Sequence, residues 1–153
     1  AGVGGGDALF PEAGTEAGVR DAVRRAGGAA AAAAKLANQR LQALPPEIIE
    51  AGRSGALTEA DLSGNVLGDR DAAEAFAWPR LRAILLNKNQ LRAWPPVSPH
   101  HGNALVRLDL SSNALAQPLP PDAFANLYSL ESLGLSGIPG LVLPSLGALE
   151  RLR

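Results

Sequence analysis

The sequence contains no cysteine among its 153 residues. This absence excludes a disulfide framework and any metal site built on thiolates. The sequence also has no strong excess of charge, because 14 Lys and Arg residues and 15 Asp and Glu residues leave a formal net charge of −1. The basic residues are spread along the chain, so composition gives no electrostatic case for binding nucleic acid or an anionic membrane.

Long apolar runs and glycosylation acceptors are absent as well. No apolar run approaches the roughly 18 residues that a membrane-spanning helix needs, and the apolar tract Ala29–Ala34 ends at Lys35. None of the asparagines is followed two positions later by serine or threonine, which an acceptor site would require. We therefore expect no membrane span.

One apolar frame, L-x-x-L-x-L-x-x-N-x-L, recurs about every 24 residues in the middle of the chain. Its residues are Leu57, Ala60, Leu62, Asn65 and Leu67, then Leu81, Ile84, Leu86, Asn89 and Leu91, then Leu105, Leu108, Leu110, Asn113 and Leu115. This is the leucine-rich repeat signature, and it predicts an α/β solenoid in which each repeat buries its leucines against the next repeat.

Weaker repeats flank these three. The first has Ala31, Ala34, Leu36, Gln39 and Leu41 in the frame, and the fifth has Leu130, Leu133, Leu135, Ile138 and Gly140. We therefore expect a leucine-rich repeat domain over residues 29–153, with about five repeats and a truncated sixth. Since the sequence starts at Ala1 rather than methionine and ends one step into that sixth repeat, we expect it to be an internal piece of a longer polypeptide.

Residues 1–28 differ from the repeats and are expected to form a flexible Gly-rich start and a short helix. The helix is predicted from Thr15 or Glu16 to Arg25, with Val19 and Val23 on one face. It would lie against the solenoid as a spacer or cap, or belong to a mobile linker.

Strands are predicted around Glu59–Leu62, Ala83–Leu86, Arg107–Leu110 and Ser132–Leu135. For Ala29–Ala34 the alanine run permits either a helix or a strand, and the repeat context favours a strand. The frame asparagines would be buried in a ladder, where their amides bond backbone groups of the turn after each strand. Isoleucine cannot form those bonds, so we expect a distorted or solvated turn at Ile138.

The returns between strands are rich in proline, which fits short helices and irregular segments. Short helices are predicted at Pro46–Glu50, Asp71–Phe76 and Pro121–Asn126. Asp71 is a candidate N-cap with Glu74 as its capping-box glutamate, and the alternative is that Glu74 simply belongs to a solvated helix face. Trp94 occupies a leucine position and is assigned to the core.

Side chains alternate across a strand, so every second strand residue should point away from the core onto the concave face of the sheet. The candidate partner-binding residues on that face are Glu59, Asp61, Leu85, Asn87, Arg107 and Asp109. Leu85 is the candidate anchor, with the alternative that a single exposed leucine is ordinary. The neighbouring charges alternate in sign and are expected to form weak surface pairs across repeats.

Catalytic, metal and cofactor sites are not predicted. His100 and His101 are adjacent in a Pro-flanked loop, where they make a poor metal cage, and Ser63 and Ser111 have no histidine within predictable reach. The glycine-rich start lacks the preceding strand and following lysine that a phosphate-binding loop requires. We therefore expect no enzyme activity and no cofactor.

The chain resembles intracellular leucine-rich repeat proteins of the Ras-group-related kind, and especially plant and algal relatives of leucine-rich repeat-containing protein 40, over roughly residues 35–153. The segments that carry the resemblance are Asn38–Glu47, Leu62–Asn65, Asn89–Pro95 and Leu110–Asn113. The resemblance implies a right-handed horseshoe with a parallel concave sheet, no catalytic activity and protein partners. The absence of cysteine favours a cytoplasmic location, because extracellular repeats of this kind usually have disulfide caps.

The hypothesis from the sequence is a non-catalytic scaffold that binds a protein partner through the concave sheet. The alternative is a targeting or regulatory segment of a larger enzyme, such as a kinase, phosphatase or ubiquitin ligase. A third possibility is a structural role in an assembly, with the convex Pro-rich face docked at residues such as Glu47 or Asp122.

Overall fold

A computed structural model of the chain describes residues 14–25, 27, 32–95 and 104–143. The described elements, in chain order, are α1 (Glu16–Arg25), β1 (Ala33–Lys35), α2 (Pro46–Ser54), β2 (Glu59–Asp61), α3 (Asp69–Phe76), β3 (Ala83–Leu85), β4 (Arg107–Asp109) and β5 (Ser132–Gly134). Each strand begins one repeat of the solenoid; α2 and α3 lie in the returns between strands, whereas α1 precedes β1.

The five strands form one parallel sheet in the order β1-β2-β3-β4-β5. The middle residues of the strands are in register as Ala34, Ala60, Ile84, Leu108 and Leu133. The first four of these are buried, and Leu133 of the last strand is partly buried against the same core. The predicted strand positions are confirmed to within one residue, and strand formation at Ala33–Lys35 agrees with the repeat context. Residues 29–31 of the alanine tract lie outside the described residues.

Leucines before and after each strand stack into continuous ladders. Four fully buried leucines follow the first four strands: Leu36, Leu62, Leu86 and Leu110. A second buried ladder contains Leu41, Leu67, Leu91 and Leu115. A fully buried leucine contributes about 1.5 to 3 kcal/mol by leaving water, and here the burying surface comes from the adjacent repeat. The structure therefore confirms that the evenly spaced aliphatic residues face one another between consecutive repeats.

Buried asparagines join each repeat to the one before it. Asn89 donates from Nδ2 to the carbonyl oxygens of Leu86 (3.1 Å) and of Leu62 in the preceding repeat (2.9 Å), and its Oδ1 accepts from the Leu67 amide (3.0 Å). Asn65 and Asn113 make the equivalent bonds one repeat away on either side. The predicted asparagine ladder is confirmed, and each amide satisfies backbone groups of two repeats.

The residue before each asparagine position has a left-handed backbone conformation, which sequence reasoning missed. These residues are Asn38, Gly64, Lys88, Ser112 and Gly137, with φ between 57° and 67°. The turn before Ile138 keeps this geometry, and the Ser112 amide still donates to the Ser136 carbonyl at 2.8 Å. The predicted distortion is therefore wrong for the backbone, because glycine takes the left-handed position without strain. Ile138 is buried rather than solvated.

Helix α1 has the predicted bounds and packs on the core. Val23 and Ala22 are buried, and Val19 is partly buried against the same cluster. Helix α2 begins with Pro46 at its first position and ends at Gly55, where φ is 86°. It is four residues longer than predicted, because the glycine that can adopt the left-handed C-cap conformation comes only there.

Helix α3 begins at Asp69, two residues earlier than predicted, and its N-cap is Gly68. The prediction of Asp71 as N-cap is wrong, because Asp71 lies in the first turn. There its carboxylate accepts from the Gly68 amide (3.2 Å) and from the Leu44 amide of the preceding repeat (3.1 Å). Glu74 is not a capping-box residue and instead pairs with Arg53.

The predicted helix at Pro121–Asn126 is wrong. The segment consists of turns, in which the Ala123 amide donates to Pro120 (3.0 Å) and the Ala125 amide to Asp122 (3.0 Å). Adjacent prolines supply no amide donor, and so short a segment gives few bonds to offset helix nucleation.

Trp94 packs on this return as predicted, with its ring edge-on to Phe124 at 5.2 Å and its Nε1 donating to the Ala123 carbonyl at 2.9 Å.

A cluster of three side chains links α2 to the end of α3: Arg53, Glu74 and Trp78. From the bonds in this cluster we predict that the stability of the fold depends on pH. Arg53 forms two bonds to the Glu74 carboxylate (2.6 and 3.0 Å), and Trp78 Nε1 donates to the same carboxylate at 3.0 Å. The Arg53 hydrogen bond lowers the pKa of Glu74 below its ordinary value of 4.5, although partial burial opposes this. Because the folded-state pKa is the lower one, ionised Glu74 stabilises the fold above its unfolded pKa, and this contribution is lost as the pH falls through the folded value.

We expect Glu74→Gln to reduce the loss of unfolding free energy as the pH falls below 4.5 and through the lower folded-state pKa of Glu74, because glutamine cannot titrate. Urea unfolding at a series of pH values measures this slope. Arg53→Gln should flatten the slope similarly, and the double variant should add little to either single change. A wild-type slope in Glu74→Gln would contradict the prediction.

Candidate interaction surface

The strands present two rows of outward side chains, which together we call the sheet face. The first row is Ala33, Glu59, Ala83, Arg107 and Ser132, and the second row is Lys35, Asp61, Leu85, Asp109 and Gly134. The rows arise because the middle residue of each three-residue strand points into the core, so the residues on either side of it point away. Residues far apart in the sequence thereby become neighbours on one surface.

Five of the six candidate binding residues lie in these two rows. Asp61, Leu85 and Asp109 are consecutive in the second row and half-buried, so the leucine lies between two carboxylates as predicted. Glu59 and Arg107 are exposed in the first row and have Ala83 between them. Asn87 lies just after β3, where its backbone carbonyl accepts from the Gly64 amide at 2.9 Å.

Both aspartates of the second row are oriented by the serine two residues later. Asp61 Oδ1 accepts from the Ser63 hydroxyl (2.6 Å) and amide (3.2 Å). Asp109 Oδ1 accepts from the Ser111 amide at 2.9 Å. Gly134 lies beside Asp109, and a Cβ at position 134 would overlap that carboxylate. The requirement for glycine follows from the register of β4 with β5, so the local sequence carried no signal for it.

The charges of the sheet face are not paired with one another. Within residues 14–25, 27, 32–95 and 104–143, no ion pair joins Lys35, Glu59, Asp61, Arg107 or Asp109 to another residue of that set. The expected weak pairs across repeats are therefore wrong for the described chain. Exposed ion pairs gain little energy and require two long side chains to be held in one geometry, and Asp61 and Asp109 bond their own serines instead.

A hollow of about 170 Å³ lies in the sheet face over β1, β2 and β3. Four alanines line it, of which Ala33 and Ala83 belong to the first outward row, whereas Ala34 and Ala60 are buried residues at the centres of their strands. Five longer residues complete its lining: Lys35, Glu59, Asp61, Leu85 and Arg107. Sequence reasoning missed this hollow, because the alanines lie on three different repeats and only the strand register brings them together.

The described residues include no candidate metal cluster and no membrane-spanning helix. No group of three or more His, Cys, Asp or Glu side chains among them could hold a metal ion. His100 and His101 lie outside the described ranges. Among the helices that the structure describes, none has the length and apolar character to cross a membrane.

Comparison with known proteins supports the repeat assignment. Residues 79–137 match the leucine rich repeat family model. The match runs from just before β3 to the turn after β5, so it includes two of the three strong repeats and the opening of the fifth. No curated protein matches this chain, and the resemblance to the Ras-group-related subgroup stays a prediction. The described chain is an α/β leucine-rich repeat solenoid, with repeats of a class that generally binds other proteins.

Proposed function

We propose that this chain is a non-catalytic module that binds a protein partner through its sheet face. The observation that carries the proposal is the row of Asp61, Leu85 and Asp109, in which a half-buried leucine lies between two carboxylates that form no ion pair within the described residues. An apolar residue with polar neighbours is the arrangement found at the centre and rim of protein interfaces.

The surroundings of Leu85 distinguish it from an ordinary exposed leucine. Across the face from Leu85, Ala83 leaves a hollow instead of a filled surface. A partner side chain that enters this space would bury the remaining surface of Leu85 and the methyl groups of Ala33 and Ala83. The carboxylates of Asp61 and Asp109 form no ion pair within the described residues, so they would attract basic residues of the partner and set its orientation more than its affinity.

We expect Leu85→Arg to weaken partner binding at least tenfold, because the guanidinium would cover the hollow and place a cation in the apolar centre. Since the sheet face is exposed to solvent, the variant should fold. The binding probe is a set of random 12-residue peptides selected on the wild-type chain, with dissociation constants measured by fluorescence anisotropy. Val66→Arg is the matched control, because Val66 is an exposed aliphatic residue in the turn after β2, outside both rows.

Equal affinity of the selected peptides for the wild type and for Leu85→Arg would remove this face as the binding site. A similar loss in Val66→Arg would also contradict the proposal, since it would indicate an effect of added charge and not of position. Far-UV circular dichroism of all three proteins checks that the fold is unchanged.

A further inference from the structure

We propose that the hollow over Ala83 binds one apolar side chain of an extended partner peptide that has a basic residue two positions to one side and an acidic residue two positions to the other. This inference rests on the proposed function, because it specifies what the sheet face recognises. Three properties of the described residues support it: the size of the hollow, the charges on either side of Ala83 and the spacing of the strands.

The size of the hollow fits a single side chain. Sites for cofactors and drug-sized molecules usually measure about 300 to 1,000 Å³, whereas this hollow measures about 170 Å³. A cavity of about 150 Å³ with aliphatic walls holds one benzene molecule. The hollow therefore has room for a side chain the size of leucine or phenylalanine, and its alanine methyl groups and Leu85 supply apolar contacts.

The hollow exists because Ala83 is short where its neighbours in the same row are long. Glu59 and Arg107 occupy the equivalent positions on β2 and β4, and both are exposed. An apolar side chain over Ala83 would thus have a carboxylate on one side and a guanidinium on the other. Neither group forms an ion pair within the described residues, so both are available to charges of a partner.

Other charged residues surround the hollow. Asp61 adds a second carboxylate on β2, and Lys35 adds an ammonium group beyond it on β1. Arg82, directly before Ala83 in the sequence, lines an adjoining depression of about 350 Å³ together with Glu59 and Arg107. Asp109 does not line the hollow. A basic partner residue is therefore favoured over β2 and an acidic one over β4.

The strand spacing sets the spacing of the partner's residues. Neighbouring strands lie about 4.8 Å apart, so Glu59 and Arg107 flank Ala83 at roughly 5 Å on either side. In an extended peptide that crosses the strands, the residues that share a face are about 6.6 Å apart. Side chains as long as those of Lys, Arg and Glu can close this small difference. The expected pattern is basic-x-apolar-x-acidic in either chain direction.

An extended peptide also fits the width of the first row better than a helix does. The two rows of the sheet face are separated by two residues along a strand, or about 6.6 Å. A helix with its side chains is about 10 to 12 Å across, so it would lie over both rows and meet Leu85 before its side chain reached the floor of the hollow. An extended chain can follow one row.

The test is selection of random 12-residue displayed peptides on the full chain and on two variants of the sheet face. Peptides selected on the wild type should contain the basic-x-apolar-x-acidic pattern. Arg107→Glu places a carboxylate on each side of Ala83, so selection on this variant should replace the acidic residue of the pattern with a basic one. Arg70→Glu is the matched control, since Arg70 is an exposed arginine on α3, and it should select the wild-type pattern.

Filling the hollow tests the apolar position separately. Ala83→Trp should weaken the binding of wild-type-selected peptides at least tenfold, whereas Ala125→Trp, at an exposed alanine between β4 and β5, should leave the dissociation constant unchanged. The inference is overturned if no peptide is enriched, if the pattern is absent, if Arg107→Glu does not alter it, or if Ala83→Trp binds normally. A separate outcome is that the selected peptides lack the basic-x-apolar-x-acidic pattern and yet bind Leu85→Arg more weakly than the wild type. That result would overturn this inference alone and leave the proposed function standing.

Discussion

Replacement of Asn89 by alanine is expected to lower the free energy of unfolding by about 3 kcal/mol. The substitution removes the bonds to the carbonyls of Leu62 and Leu86 and to the amide of Leu67, and a longer one to the Asn87 carbonyl at 3.3 Å. The Leu62 and Leu86 carbonyls keep bonds from Asn65 and Asn113, whereas the Leu67 amide loses its side-chain acceptor. An unsatisfied buried amide costs about 1 to 3 kcal/mol and each lost bond about 0.5 to 1.5 kcal/mol, which together give the expected change. Urea denaturation followed by circular dichroism measures the change.

Asn87→Ala is the matched control, because Asn87 lies two residues earlier and is half-buried. We expect it to cost less than about 0.5 kcal/mol, as is usual for surface substitutions. Asn89→Asp separates the two kinds of bond, since the carboxylate keeps an acceptor for Leu67 but has no donor for the two carbonyls at neutral pH. If Asn89→Ala cost no more than Asn87→Ala, the ladder would not stabilise the solenoid.

The asparagine ladder could be predicted because its cause is periodic. An amide in the same place in every repeat meets the same unpaired backbone groups, so spacing alone located Asn65, Asn89 and Asn113. The left-handed residue before each asparagine is also periodic, but its signal is weak. Glycine at positions 64 and 137 fits, whereas Lys88 and Ser112 adopt the same conformation against their own preference.

The start of α3 was predicted less well because its carboxylates bond to backbone groups of other repeats. Asp71 bonds Leu44 in the preceding repeat, and Asp69 accepts from the Arg92 and Ala93 amides in the following one (2.9 and 3.1 Å). These carboxylates therefore join three repeats at the start of α3. A local capping pattern cannot reveal bonds to residues more than 20 positions away.

Some features of the sheet face have local causes and could be predicted, whereas others depend on contacts between repeats. Alternation along a strand identified which residues point outward, including Leu85 and its flanking aspartates. The absence of ion pairs between these charges depends on how each side chain is oriented, and the hollow depends on alanines from different repeats meeting in register. Both properties require the assembled sheet, and both bear on what the face can bind.

Gly52→Ala is expected to lower the free energy of unfolding by about 2 kcal/mol, although alanine favours a helix over glycine by about 1 kcal/mol. Gly52 is buried inside α2, and a Cβ there would overlap three ring atoms of Trp78. The ring is 1% exposed and tethered by its bond to Glu74, so it has no free space to move into. Overpacking of this kind costs up to about 3 kcal/mol, which exceeds the gain in helix propensity.

Urea denaturation of Gly52→Ala, of Trp78→Leu and of the double variant tests whether overlap between the added methyl group and the Trp78 ring causes the loss of stability. Trp78→Leu alone should be strongly destabilising, because it leaves a cavity in a close-packed region. On that background Gly52→Ala should become neutral or stabilising, since the smaller side chain leaves room for the methyl group. Gly68→Ala is the steric control, because a Cβ at position 68 meets no atom within 4 Å. If Gly52→Ala lowered the free energy of unfolding equally in the wild type and in Trp78→Leu, contact with the Trp78 ring would not be the reason that α2 needs glycine at position 52.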